Sequence, residues 1–332
     1  MYLISAAGSG GTNRLVESCK SDFIGMTADK YKIHTSVLST NYLVPMAVEE
    51  EAYVEAVNRI SKQHGIELFI PNSDSEVFTT TKYIEHIGVK TFLPDHELVR
   101  ATFDKWDFYL AAKKAGVEVA ETFHITSEKE IEKAFESLEQ RPLWCRVKSG
   151  SGSRYTSKVL SVEDAKHYIR HQLLLNSLPD DEFLISEYLP GDDIAVMTIW
   201  KDGHIKMCKM AKRTRYFKKA GESPPSVLES FFDPKIESFV IESIQKLTSS
   251  ANGVLNVDIK CREDGTPVVT EINAGRFYYN MQLFNSGNFH AFEIFLKLAE
   301  GEDLAYCTED PEVIFIREQD NEPYIIPKHL LK

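Results

Sequence analysis

At 332 residues, with 43% hydrophobic and 27% charged side chains, the chain is long enough for two or three packed subdomains and too apolar to be a disordered polymer. Its 50 acidic against 38 basic residues give a formal charge of -12, a field that repels nucleic acid and anionic lipid, so any phosphate partner is expected to be held locally. No apolar run approaches the roughly 18 to 20 residues of a spanning helix, the start MYLISAAGSGG lacks the pattern of a leader, and five scattered cysteines form no CxxC pair, so a reducing cytoplasm is the expected home.

The first hundred residues alternate short apolar runs with helical patterns, which predicts an open parallel sheet with crossover helices. Strands are expected at Tyr2–Ala6, Phe23–Thr27, Glu67–Ile70 and Val89–Leu93, and helices at Asn13–Lys20, Glu49–His64 and Ser73–His86. From Asp104 a helix over Trp106–Lys114, closed by Gly116, precedes a change of character. Strands at Leu143–Lys148, Lys158–Val162 and Phe183–Glu187, with a helix over Glu163–Leu175, predict a small α+β lid. Ile194–Trp200 and His204–Ala211 form a hairpin around Asp202-Gly203, and a helix covers Lys235–Ser250. Val254–Cys261 and Pro267–Ile272 form a second hairpin around Asp264-Gly265.

The strongest chemical signal is on that last hairpin. Asp258 on one strand, with Glu271 and Asn273 two apart on the other, offers three oxygen-bearing side chains from adjacent strands, the donor type a hard divalent cation takes. An isolated ExN also fits an ordinary solvated strand pair. A second element is Lys148 followed by the Gly/Ser loop that contains Ser151, Gly152 and Ser153, where small residues let backbone amides approach phosphate and lysine supplies a compact charge. It is not a Walker A loop, since no Lys-Ser or Lys-Thr follows the glycines. A third is Glu187-Tyr188-Leu189-Pro190-Gly191-Asp192-Asp193, an extended segment that can offer backbone groups to an adenine edge and a carboxylate to a ribose.

Lys209-Met210-Ala211-Lys212-Arg213-Thr214-Arg215 is a basic cluster in an acidic chain. Strand alternation puts Lys209, Arg213 and Arg215 on one side and Lys212 on the other, and the first set is the choice for a phosphate or substrate pocket. The cluster equally reads as a solvated strand edge. Gly8-Ser9-Gly10-Gly11, with Asp29 about 20 residues on, invites a dinucleotide-binding reading. Asn13 stands where the third small residue of that fingerprint belongs, which makes a dehydrogenase the weaker interpretation.

In their order along the chain these elements resemble the ATP-grasp superfamily, specifically its carbamoyl-phosphate-synthetase-like carboxylate–amine ligases, over nearly the whole length. The resemblance is carried by the N-terminal Gly-rich turn, Pro71-Asn72-Ser73-Asp74-Ser75-Glu76, Phe103-Asp104-Lys105, Val147-Lys148 with its loop, Glu187 to Gly191, and Asp258 with Glu271-Ile272-Asn273-Ala274-Gly275-Arg276. It implies a Rossmann-like pre-ATP-grasp domain over 1–103, a small lid subdomain over 104–187 and a large subdomain with the metal site over 188–332. It also implies that Lys105 and Lys148 contact nucleotide phosphates, that Glu187, Tyr188 and Leu189 form the hinge at the adenine, and that Asp193 holds the ribose. Asp258, Glu271 and Asn273 become the ligands of magnesium, with manganese as a substitute. Arg276 is expected beside the transferred phosphoryl group or the substrate carboxylate, although the family often has one residue fewer between asparagine and arginine.

The reaction the resemblance implies is ADP-forming: a carboxylate is activated by ATP as an acyl phosphate and captured by an amine. The expected partners are small-molecule carboxylates and amines, not nucleic acid or membrane, and a homodimer is compatible. Two other readings stand beside it: bicarbonate as the phosphorylated substrate, and a non-catalytic ATP-binding module. A single ATP-grasp module with no glutaminase-like Cys/His segment disfavours the first, and the full metal-type ligand set disfavours the second.

Overall fold

The structure is a computed structural model and describes residues 1–150, 155–218, 224–318 and 324–330. The N-terminal elements are β1 (Tyr2–Ile4), α1 (Gly10–Glu17), β2 (Phe23–Thr27), β3 (Asn41–Leu43), α2 (Glu50–His64), β4 (Leu68–Ile70) and α3 (Asp74–Lys82). Their strands form a parallel sheet in the order β3-β2-β1-β4. β1, β2 and β4 are buried along their whole length, as strands covered on both faces must be. Tyr53, Val57 and Ile60 of α2 cover Leu3, Met26 and Phe69 on one face. Tyr2, Ile4 and Phe23 face a second core that includes Phe292 and Phe295.

Two details depart from the sequence reading. Val89–Leu93 is not a strand: only Lys90 bridges Leu68, and Phe92 turns into the core against Phe295 before Pro94. The sheet's fourth member is instead β3, an edge strand of three residues, half-buried at Asn41 and Tyr42 and exposed at Leu43.

Next come α4 (His96–Phe103) and α5 (Lys105–Ala115), the latter capped by Asp104, which accepts from Trp106 N at 2.7 Å, and closed by left-handed Gly116. β5 (Thr122–Ile125), α6 (Glu128–Ser137), β6 (Leu143–Val147), β7 (Ser157–Val159), α7 (Val162–Asn176) and β8 (Phe183–Ser186) build an antiparallel sheet in the order β5-β8-β6-β7. Ile131, Ala134 and Phe135 of α6 and Ile169 of α7 cover one face through Cys145, Phe183 and Ile185. Alternation turns Trp144 and Arg146 of β6 to the other face.

The remaining elements are β9 (Asp193–Lys201), β10 (His204–Tyr216), β11 (Pro225–Phe231), α8 (Pro234–Leu247), β12 (Gly253–Cys261), β13 (Pro267–Ala274), α9 (Met281–Phe284), α10 (Ala291–Glu300), β14 (Cys307–Thr308), β15 (Val313–Ile316) and β16 (Tyr324–Pro327). They form one large sheet, β13-β12-β9-β10-β11-β15-β16, with β14 paired to β10. Ile194, Val196, Met210, Val257 and Ile259 face a core shared with Phe108 and Ala112 of α5 and Val240 of α8. The opposite face is apolar at Met197, Ile199, Met207 and Val254, which pack under α10. Toward the other end of the same strands it becomes charged, at Asp193, Arg213, Asp258, Lys260 and Glu271. β10 runs past Ala211, the expected end of the hairpin strand, to Tyr216, so the whole basic cluster lies in the strand.

Candidate active site

The charged end of the large sheet faces the open side of the lid sheet across a cleft of about 420 Å³. Trp144, Arg146, Ser149 and Gly150 come to it from the lid side, and Asp193, Arg213, Asp258, Lys260 and Glu271 from the large sheet. Glu187, Tyr188 and Leu189 line the seam between the two, and Lys105 enters from the first turn of α5. The volume falls within the roughly 300–1,000 Å³ of small-molecule sites.

The hairpin β12–β13 sets Asp258 directly opposite Glu271, and Asn256 opposite Asn273. Asp258 and Glu271 both line the cleft. Asn273, two residues beyond Glu271, instead lines a second chamber of about 360 Å³ that lies against Ser73, Asp74 and Ser75 of the α3 start and Phe103 of α4. Glu271, Lys105, Ser149 and Gly150 belong to both walls, so the two spaces meet at Glu271. Lys105 Nζ donates to Gly150 O at 2.8 Å and stands 3.9 Å from Glu271 Oε1.

After Asn273 the chain turns at Gly275, φ +86°, where a Cβ would lie 2.7 Å from Val77 Cγ1, so only glycine fits the turn without displacement. The turn delivers Arg276 to Asp74 and to the Asn273 amide oxygen. Burial works against the Arg276 charge, and Asp74 outweighs it, raising the pKa.

Three sequence-derived candidates stand elsewhere than expected. Lys148 is not part of the cleft lining: it lies just past the end of β6, and its Nζ pairs with Asp181 at 2.8 Å, which raises its pKa. The cation that β6 presents to the cleft is Arg146. Its Nε is buried with no hydrogen-bond partner among the described residues, and burial lowers its pKa while Glu271 opposes the shift. Lys209 shares a strand face with Arg213, as alternation predicts, but four residues up the strand that face is roofed. There Lys209 is 2% exposed, donates to Ser286 O at 2.7 Å and to Phe289 O, and pairs with Glu309 at 3.3 Å. Arg215 is exposed beyond a bulge that follows Arg213 and is absent from the cleft lining. Ser151, Gly152 and Ser153 lie outside the described residues.

Glu187 reaches the seam but its carboxylate is already engaged: Arg262 grips it through Nε at 2.7 Å and Nη2 at 3.1 Å while holding Glu118 at 2.6 Å. What the segment can offer a ligand is therefore its backbone and the Tyr188 ring, 6.1 Å from Trp144 between centroids and covered by Lys158 at 4.3 Å. Asp193 and Asp258 are joined by Arg213, at 2.7 Å and 2.6 Å, and each accepts a tyrosine hydroxyl as well, from Tyr216 at 2.5 Å and Tyr278 at 2.7 Å. Lys260 and Arg146 line this cleft and no sequence motif singled them out.

Residues 102–277 match the sequence model of the family described as ATP-grasp domain, more than half of the chain. The chain is a member of the ATP-grasp family. Solved structures agree in fold. A carboxyaminoimidazole ribonucleotide synthase from Asperigillus clavatus complexed with ATP superposes at a TM-score of 0.73 with 14% identity, over 95% of this chain and 81% of that one. Biotin carboxylase from Campylobacter jejuni gives 0.70 with 15% identity, over 95% and 75%. An L-amino acid ligase from Bacillus licheniformis gives 0.68 with 13% identity, over 91% and 74%. The mixed α/β architecture expected from the sequence, a parallel N-terminal sheet followed by the two antiparallel sheets of an ATP-grasp fold, is the architecture observed.

The dinucleotide alternative fails on the same geometry. A Cβ on Gly8 would lie 1.8 Å from Lys32 O, and one on Gly10 would lie 2.8 Å from the Tyr279 hydroxyl. The glycines here admit protein atoms where a Rossmann loop admits pyrophosphate. Asp29 is spent on the backbone amides of Tyr31 and Lys32.

Proposed function

We propose that this ATP-grasp chain is an ADP-forming ligase that activates a small carboxylate with ATP and magnesium and transfers the acyl group to an amine. One observation carries the reading: a single cleft gathers two unlike sets, the cations Lys105 and Arg146 and the carboxylates Asp258 and Glu271, at the junction with a second chamber. Cations alone would suit any anion. Cations beside a pair of hard oxygen donors suit a phosphate that arrives with a divalent ion.

The donor set fits magnesium. Asp258 and Glu271 are opposed on neighbouring strands, both contacts to Asp258 fall on Oδ1, and magnesium needs only one or two protein carboxylates when phosphates and waters complete its shell. Held by these two residues, with Asn273 nearby, the ion would neutralise charge on phosphate oxygens. The chain's own side chains do the rest. Lys105 and Arg146 stabilise the charge on the transferring phosphoryl group, Arg146 in place of the expected Lys148. The backbone of Glu187 to Leu189 receives the adenine beside Tyr188 and Trp144, and Asp193 serves the ribose.

The second chamber is the place for the acceptor. Lys105 lines it and Arg276 is held by its lining residues Asp74 and Asn273, so that the two can orient a carboxylate, and Glu271 marks the boundary across which its oxygen meets the γ-phosphorus. Attack expels ADP and leaves an acyl phosphate. Amine nitrogen then attacks the acyl carbon, phosphate departs, and the amine proton passes to phosphate or water, so positioning supplies most of the catalysis. The division into 1–103, 104–187 and 188–332 belongs to this proposal; it is supported by one sheet in each part.

The test is an ADP-release screen of the purified chain against paired carboxylates and amines, with mass spectrometry of the products. Turnover that requires both partners, and is lost in Glu271→Gln and Arg146→Ala, is the expected result. ADP release indifferent to both partners, or full activity in both variants, would remove the reading.

A further inference from the structure

Arg213 is the most tightly engaged cation of the cleft. It extends from the charged face of β10 between two carboxylates of neighbouring strands, Asp193 on β9 and Asp258 on β12. The three side chains are only 15%, 12% and 19% exposed. Two carboxylates held this close with little water repel each other, and a guanidinium fork that reaches both at once is the economical remedy. A guanidinium does not give up its proton in a protein, so Arg213 stays charged.

Its grip falls on one oxygen of a carboxylate that the ligase reading gives to the metal, and leaves the other open. Asp258 Oδ1 accepts from Arg213 Nη2 at 2.6 Å and from the Tyr278 hydroxyl at 2.7 Å. A divalent ion on either oxygen of Asp258 would sit close to a fixed positive charge, and like charges a few ångströms apart at low exposure repel.

Resting on the ligase reading above, we propose that Arg213 is an internal counter-ion that holds Asp193 and Asp258 in place of the divalent cation, and gives up Asp258 only when the cation arrives with nucleotide. Free metal must displace the guanidinium and leave it stranded. Metal that arrives with a triphosphate brings negative charge to which Arg213 can turn. The residue thereby keeps both carboxylates aligned in the empty cleft and makes metal binding conditional on nucleotide. In the empty cleft it is a positioning residue, acting through the two carboxylates it holds.

The experiment titrates Mn2+ alone into the full chain, followed by the paramagnetic resonance signal of free Mn2+, for the wild type, Arg213→Gln and Arg213→Lys. Removing the guanidinium should tighten Mn2+ binding without nucleotide by about tenfold or more. Lysine, a single point charge that cannot span both acids, should fall between. ADP added with Mn2+ should restore metal binding in the wild type. Circular dichroism checks folding, and if Arg213→Gln does not fold, Arg213→Lys against the wild type decides. Equal Mn2+ affinity in wild type and variants, whether high or undetectable, overturns the proposal. Failure of the wild type to bind ADP with Mn2+ strikes the ligase reading instead, and the metal-only comparison still judges Arg213.

Discussion

Arg146 lines the cleft between the two antiparallel sheets, while Lys148, two residues further on, gives its ammonium to Asp181 at 2.8 Å. The two are near neighbours in sequence and opposite in consequence. Arg146→Ala should weaken ATP binding by about 10- to 100-fold, the loss of one or two charge-assisted hydrogen bonds in a dry site. Lys148→Ala removes only a partly exposed ion pair and should change ATP affinity by less than about threefold. Calorimetric titration of both variants with ATP and magnesium checks the pair, and the reverse order of effects would return the phosphate contact to Lys148.

The seam between the sheets depends on a residue that touches no ligand in this reading. Arg262 holds Glu187 through two nitrogens and Glu118 through a third, tying the hinge backbone to the strand pair behind it. Arg262→Met keeps the stem's packing and cuts all three bonds. The KM for ATP should rise by about three- to tenfold through loss of hinge alignment, with kcat less affected. Steady-state kinetics at saturating acceptor separates the two, and an unchanged KM would show that the hinge is held by other contacts.

These two cases show where the sequence is legible. That Asp258 and Glu271 lie on adjacent strands can be read directly from the hairpin around Asp264-Gly265, whereas their direct facing depends on a bulge between Asp258 and Ile259 that a period of two does not announce. Arg146 can also be read, from Leu143, Cys145 and Val147: their alternation puts Trp144 and Arg146 on the face away from the helices, a signal weaker to the eye than a lysine before a glycine loop. What strand period could not give is the roof over Lys209, since that roof comes from residues 286–289 and Glu309, far along the chain. Edge strand β3 is similarly silent, its pairing set by neighbours and not by its own apolar pattern.

Lys209 is accordingly expected to matter for stability. It is almost wholly buried, and Glu309 is 11% exposed. Lys209→Met leaves two backbone carbonyls without their donor and Glu309 without its counter-charge, though Asn288 and Phe289 still donate to it, and breaking such a pair from one side costs about 3–5 kcal/mol. Urea denaturation of the variant should show that loss while ATP affinity of the folded fraction stays within about twofold. A large drop in affinity with unchanged stability would place Lys209 back in the site.

His290 supplies a pH dependence whose sign is fixed by its surroundings. It caps α10, its ring nitrogen accepting from Glu293 N at 3.3 Å, and burial lowers its pKa below 6.5, with Glu293 opposing. In the folded chain the ring therefore stays neutral at pH values where the unfolded chain already binds a proton. Stability from this residue is full above 6.5 and declines as acid drives the pH down through the folded pKa. His290→Asn retains a side-chain oxygen for the cap and cannot titrate. Denaturation midpoints between pH 7.5 and about pH 5 should fall more steeply for the wild type than for the variant; parallel slopes would mean that the acid sensitivity in this range comes from other groups.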